Sequence, residues 1–218
     1  MNREEVKELV FRKKVIAIVR GIYGDDCLKL ADALFKGGIR LMEVTFDQSR
    51  PETFSTTADT IRQLTAAFGG RMVFGAGTVT STELAELTKK AGGQFIVSPD
   101  TKPEVIRKTV ELDMVSIPGA FTPTEIALAY ESGADFVKVF PAGTVGPAYI
   151  KAVRAPLSQI PLLAVGGVGE ADAADYIAAG ASGVGVGGNL AKKALVEAGR
   201  FDEIEATARA LVKAVGAE

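Results

Sequence analysis

The sequence predicts an α/β fold, a (β/α)8 TIM barrel with an extra N-terminal helix, as a single domain over residues 1–218. Three observations predict it. Eight short Val/Ile/Phe-rich runs alternate with polar amphipathic stretches, as the strands and helices of a parallel barrel do. The runs are continuously apolar rather than alternating, which is how strands covered on both faces read. The chain has 218 residues, a length that one α/β barrel fills and that suffices to bury a sizeable core.

The elements follow in order. NREEVKELVFRKK reads as the extra helix, within residues 1–14, closing the bottom of the barrel. VIAIVR from Val15 is the first strand run, followed by the helical segment DDCLKLADALFKGG. LMEVTF from Leu41 is the second run, and MVFGAGTV from Met72 is the third, leading into STELAELTKKAGG. FIVSP from Phe95 and MVSIPGA from Met114 are the fourth and fifth, with TPTEIALAYESG after them. FVKVF from Phe136, PLLAVGGV from Pro161 and GVGVGG from Gly183 complete the eight, and FDEIEATARALVKAV reads as the last outer helix. The quoted amphipathic segments between strands end in Gly, the residue favoured just past a helix C-terminus. The alternative, a doubly wound open sheet, is disfavoured because the first turn, VRGIYGDD, lacks the G-x-G-x-x-G fingerprint.

Composition removes whole classes of chemistry. With no His in the chain, Ser-His-Asp triads and His-ligated zinc are excluded. Cys27 is the lone cysteine, so no intrachain disulfide or four-Cys metal site forms, and it reads as a small buried helical residue. Lys+Arg 25 against Asp+Glu 27 offers no electrostatic case for nucleic acid or an anionic membrane. No apolar run approaches the roughly 20 residues that span a bilayer, and MNREEVKELV is too polar for a secretory signal. A cytoplasmic location is expected.

In such a barrel the active site lies at the C-terminal ends of the strands, and strand parity sorts interior from exterior side chains. Lys138, in FVKVF, shares a face with Phe136 and Phe140. A lysine there is desolvated and its neutral amine favoured, which suits a Schiff-base nucleophile; a buried structural ion pair is the plainer reading. Glu43, in LMEVTF, is the matching carboxylate. Its setting favours a raised pKa and a proton-shuttle role, or a role as counter-ion to Lys138. Arg20 ends the first strand in phase with Ile16 and Ile18 and can grip a carboxylate or phosphate with two N–H groups, or form a rim salt bridge. Thr78 ends the third run in phase with Ala76, as a hydroxyl toward a ligand or as a helix N-cap, a task Thr80 or Ser81 fits better. Gly166 and Gly167, then Gly187 and Gly188, follow the seventh and eighth runs, where this fold binds phosphate on backbone N–H groups and a helix N-terminus; tight turns are the alternative. Asp47, Gln48 and Ser49, after the second strand, read either as specificity residues or as solvated loop.

Taken together, AIVRG, GGIRLMEVTF, GAGTVTS, QFIVSPD, IPGAFTPTEI, VKVFPAGTVGPAYIKA, VGGVG and GVGVGGNL resemble, in order and spacing, the 2-keto-3-deoxy-6-phosphogluconate (KDPG) aldolases. These are class I enzymes grouped with 4-hydroxy-2-oxoglutarate and 2-keto-3-deoxy-6-phosphogalactonate aldolases. The resemblance implies Lys138 as the Schiff-base lysine and Glu43 as the general acid/base. It places Arg20 and Thr78 near the keto-acid carboxylate, the four glycines in the phosphate loops, and Pro99 and Phe140 at apolar pocket positions. Pro118 then begins a Pro-Gly turn after the fifth strand. The implied reaction is cleavage to pyruvate and glyceraldehyde 3-phosphate by a homotrimer that uses no metal or organic cofactor. The chain departs from many members at Asp47, where they carry Arg, and at Val165 and Gly188, where they carry hydroxyl residues. The sequence AVGG is closer to the phosphogalactonate branch. The competing expectations are a phosphate-binding barrel isomerase, epimerase or synthase, and a non-catalytic assembly protein.

Overall fold

The computed structural model describes residues 1–217; Glu218, the last residue of the predicted domain, lies outside the described residues. Nine parallel strand segments form one sheet: β1 (Val15–Val19), β2 (Leu41–Thr45), β3 (Val73–Gly77), β4 (Phe95–Val97), β5 (Val115–Ile117), β6 (Gly119–Ala120), β7 (Val137–Val139), β8 (Leu162–Val165) and β9 (Gly183–Val186). Their order is β5-β4-β3-β2-β1-β9-β8-β7-β6. The two ends of that order, β5 and β6, are separated in the chain by Pro118 alone, so the sheet closes on itself. The expected eight strands are therefore present, the fifth in two pieces. Proline has no N–H to give the ladder, but its carbonyl still accepts from the Lys138 amide at 2.8 Å. The Pro118–Gly119 pair is thus not a turn after the strand, as the resemblance implied, but a break inside it: Gly119 pairs in register with Lys138.

The helices that wrap the sheet are α2 (Gly24–Lys36), α3 (Phe54–Phe68), α4 (Thr82–Lys90), α5 (Pro103–Glu111), α6 (Pro123–Glu131), α7 (Gly146–Arg154), α8 (Ala173–Ala178), α9 (Lys193–Glu197) and α10 (Phe201–Ala214). Ser81 caps α4, its hydroxyl accepting from the Leu84 amide, which leaves Thr78 free of that task.

Strand parity splits the apolar side chains into two cores. The outer one lies between sheet and helices and contains Ala17, Met42, Val44, Phe74, Val137, Ala164 and Val184 from the strands. Cys27 sits in it, fully buried, and burial pushes its thiol up to about 12. The inner core fills the barrel with Ile16, Leu41, Val73, Phe95, Val115, Phe136 and Leu163. Glycines on inward positions make room for larger neighbours: a Cβ at Gly75 would stand 2.6 Å from the Phe95 ring, and one at Gly185 would stand 2.8 Å from the Val165 side chain.

The extra helix α1 (Arg3–Lys13) closes the N-terminal end of the barrel, as expected. Val6, Leu9 and Val10 belong to the inner core rather than the outer. Asn2 and Glu5 form a capping box at its start. Arg3 fastens the helix to the barrel by a two-pronged ion pair with Asp135, at 3.0 and 2.8 Å, and Asp135 also accepts from the Ser116 amide. With the bottom plugged and the middle packed, open space is left at the other end.

Candidate active site

A cavity of about 410 Å³ opens at the C-terminal ends of the strands, within the size range of small-ligand sites. Ten of the residues singled out from the sequence line it. Lys138 and Glu43 form its floor, Arg20 and Thr78 stand on one side, and Pro99 and Phe140 add apolar wall. Gly166, Gly167, Gly187 and Gly188 complete the rim.

Lys138 and Glu43 project inward because they sit on the same parity as the inner core: Lys138 follows Phe136, and Glu43 follows Leu41. Both are nearly inaccessible, at 7% and 3%. Burial lowers the Lys138 pKa, against the opposing pull of Glu43 and Asp100 and with help from Arg20. Burial pushes the Glu43 carboxyl up to about 7, although Lys138 and Arg20 act to lower it. In both groups desolvation outweighs the partner's charge, so each is shifted toward its neutral form. Among the described residues no direct ion pair joins the two, which sets aside the closed structural salt bridge. The Lys138 amine lies 4.6 Å from the centre of the Phe140 ring.

Glu43 is held by shape. None of the side-chain hydrogen bonds among the described residues involves its carboxylate. Its carboxylate occupies the space over Gly77 on the adjacent strand, where a Cβ would stand 2.3 Å from Oε1 and 2.8 Å from the Thr45 methyl. Register brings this about, since Glu43 pairs with Gly75 and Thr45 with Gly77.

Arg20, exposed at the end of β1, donates from Nη2 to the Thr78 hydroxyl at 3.4 Å. Thr78 has a left-handed backbone, φ +57°, uncommon for a β-branched residue. The loops after β8 and β9 face them. Gly166 and Gly167 have φ of +89° and +83°, and a Cβ on Gly166 would meet the Phe140 ring at 2.9 Å, so glycine is required there. Gly188 has open space around it and could carry a side chain. Among the described residues the amides of Gly167, Gly188 and Asn189 donate to no other backbone atom, and these loop N–H groups can hold an anion. The expected helix N-terminus does not join them: α8 and α9 are short and begin several residues beyond the loops.

One feature escaped the sequence reading. Asn189 lines the cavity, and its side-chain amide donates to the Val168 carbonyl at 3.2 Å, tying the two glycine loops together; a polar residue closing GVGVGGN was the only signal for it. Asp47, Gln48 and Ser49 lie outside the lining. Asp47 folds its own loop, accepting from the Ser49 amide and hydroxyl and from Arg50 Nε, and the same Ser49 and Arg50 hydrogen bonds hold its carboxyl down at about 2. Among the described residues no group of three or more His, Cys, Asp or Glu is placed to hold a metal ion, and no helix is long and apolar enough to cross a membrane.

Comparison with known proteins agrees with this geometry. The chain is 38% identical over 177 residues to the 2-dehydro-3-deoxy-6-phosphogalactonate aldolase of Escherichia coli, covering 81% of this chain and 83% of that one. It is 33% identical over 211 residues to the 2-dehydro-3-deoxy-phosphogluconate aldolase of Haemophilus influenzae, covering 96% and 94%. It superimposes with a TM-score of 0.83, at 25% identity and 94% and 97% coverage, on KDPG aldolase from Legionella pneumophila, whose structure holds pyruvate as a covalent carbinolamine intermediate. The family model described as "Aldolase: KDPG and KHG aldolase" matches residues 6–207, and the chain belongs to that family.

Proposed function

We propose that this chain is a class I aldolase that cleaves a 2-keto-3-deoxy-6-phospho sugar acid of the KDPG type to pyruvate and glyceraldehyde 3-phosphate. The observation that carries the reading is the buried pair of an amine and a carboxyl, Lys138 and Glu43, each shifted by burial toward its neutral form, in one cavity. The Lys138 amine attacks the C2 carbonyl, and loss of water from the carbinolamine leaves an iminium. Glu43 takes the proton of the C4 hydroxyl. The C3–C4 bond then breaks, its electrons pass into the iminium, and the aldehyde departs while the enamine of pyruvate stays on Lys138. Protonation at C3 and hydrolysis release pyruvate and restore the amine. The covalent intermediate supplies the electron sink, so the reaction draws on no metal or organic cofactor.

Arg20, paired to Thr78, is suited to the C1 carboxylate as a two-pronged donor. The glycine loops, with their undonated amides, suit the phosphate at the other end. Pro99 and Phe140 are suited to exclude water around the reacting carbons. A second reading, the phosphogalactonate epimer, is favoured by Val165 and Gly188 at the phosphate end and by the 38% identity to an enzyme of that name.

The chain is proposed to work as a single-domain cytoplasmic protein in a homotrimer. Three of its exposed large apolar side chains, Phe121, Leu128 and Tyr130, cluster in one short stretch at the start of α6 and along it, as interface surfaces do.

Borohydride reduction in the presence of pyruvate tests the reading. One adduct, mapped to Lys138 and lost in Lys138→Ala, is the expected result. A folded protein that forms no adduct would sink the aldolase chemistry and leave the isomerase or assembly alternatives.

A further inference from the structure

We propose that Gln48 is a positioning residue for the carboxylate end of the site, holding the loop after β3 in the form that lets Thr78 and Arg20 act together. The proposal rests on the aldolase reading above. Its starting observation is the backbone of Thr78, left-handed at φ +57°. A β-branched residue does not adopt that conformation unless its surroundings impose it. Thr78 lies on the cavity wall, and its hydroxyl is the acceptor for Arg20.

Gln48 supplies the restraint from outside the cavity. Its side-chain Nε2 donates to the Thr78 carbonyl at 2.8 Å, and its Oε1 accepts from the Thr80 hydroxyl at 3.1 Å. One amide therefore spans both sides of the turn that follows Thr78. Lys102 holds the same turn as well, its Nζ donating to the Thr80 carbonyl at 3.0 Å. The Val79 amide is bound to the Val97 carbonyl at 3.2 Å. With Val79 and Thr80 tied beyond it, Gln48 is the group that holds the Thr78 carbonyl itself.

Gln48 can reach because Asp47 bends the loop after β2. The Asp47 carboxylate accepts from the Ser49 amide at 3.0 Å, from the Ser49 hydroxyl at 2.6 Å and from Arg50 Nε at 2.9 Å. That fold turns the loop back on itself, and the next side chain reaches the loop after β3. The chain of action runs from Asp47 through Gln48 to Thr78, and from Thr78 to Arg20. Neither Asp47 nor Gln48 lines the cavity, so both act on the substrate only through other residues.

The consequence is selective. Releasing the loop disturbs the group that receives the carboxylate while leaving Lys138 and Glu43, on β7 and β2, where they are. Gln48→Ala is therefore expected to raise KM for the phosphorylated keto acid, and the pyruvate concentration that half-saturates borohydride trapping, by about five- to tenfold. That is the scale carried by one or two net hydrogen bonds. The kcat should stay within about twofold to threefold. Thr80→Val, which removes one of the two bonds, should give a smaller KM increase that disappears when Gln48 is already Ala. Gln48 is exposed, so these variants fold, and near-UV circular dichroism checks that they have.

Wild-type KM and wild-type pyruvate half-saturation in Gln48→Ala would overturn the proposal, as would a fall in kcat with KM unchanged. The failure of the aldolase reading looks different: wild-type protein itself would then neither trap pyruvate nor cleave the sugar acid.

Discussion

Glu43 is a carboxylate that sits between two states because burial and its neighbours disagree. Its folded pKa of about 7 lies above the ordinary 4.5. The folded protein therefore holds the proton over a range in which the unfolded chain has released it. The stability this contributes is full below pH 4.5 and is lost as pH rises through about 7. Glu43→Gln cannot ionise, so it should gain stability relative to wild type over that window and level off above it. The gain should be on the order of 3 kcal/mol, at 1.36 kcal/mol per pKa unit. Denaturant unfolding of both proteins at pH 5 and pH 8 measures it; equal differences at the two values would mean that the carboxyl is not raised. Catalysis should move the other way. The C4 hydroxyl proton needs an ionised acceptor, so kcat/KM should rise with pH through about 7 and lose that limb in Glu43→Gln. Turnover in this variant should fall by about 10²–10⁴-fold, while pyruvate still forms its adduct.

At the scale of elements, the register of β2 on β3 decides where that carboxylate points. Gly77 is absent space as much as it is a residue, since a methyl group there would overlap Glu43 Oε1. Gly77→Ala should lower kcat about a hundredfold by displacing the base, with pyruvate trapping on Lys138 retained; unchanged kcat would show that Glu43 does not need the slot. The opposite end of the barrel behaves differently. Leu9 on α1 packs into the inner core but far from the chemistry. Leu9→Ala should cost about 2–4 kcal/mol in a denaturant titration and leave activity per folded molecule unchanged. These two substitutions separate the plug from the site, although both touch the same interior.

At the scale of the whole molecule, the exposed apolar stretch beginning at Phe121 is the test of assembly. Leu128, at 45% exposed, should lie in the contact of the proposed trimer, so Leu128→Asp should shift sedimentation toward the monomer. An unshifted trimer would place the interface elsewhere. Much of this molecule was legible in its sequence for a simple reason: a closed parallel barrel has period-two strands, so the parity that buries Phe136 and Leu41 also turns Lys138 and Glu43 inward. The absence of His, the lysine within an apolar strand and the glycines after the last two strands were likewise readable one residue at a time. What was not readable depends on contacts between segments distant in the chain. Pro118 read as a turn because its place inside the closing strand depends on pairing with β7. Asn189 drew no reading and Gln48 stayed open between specificity residue and solvated loop, because their partners, Val168 and Thr78, are 21 and 30 residues away. Local pattern determined the fold, the face and the chemical character of the site. Only the tertiary structure decided how its parts are held, since register, loop ties and the empty space over Gly77 exist only once the barrel has closed.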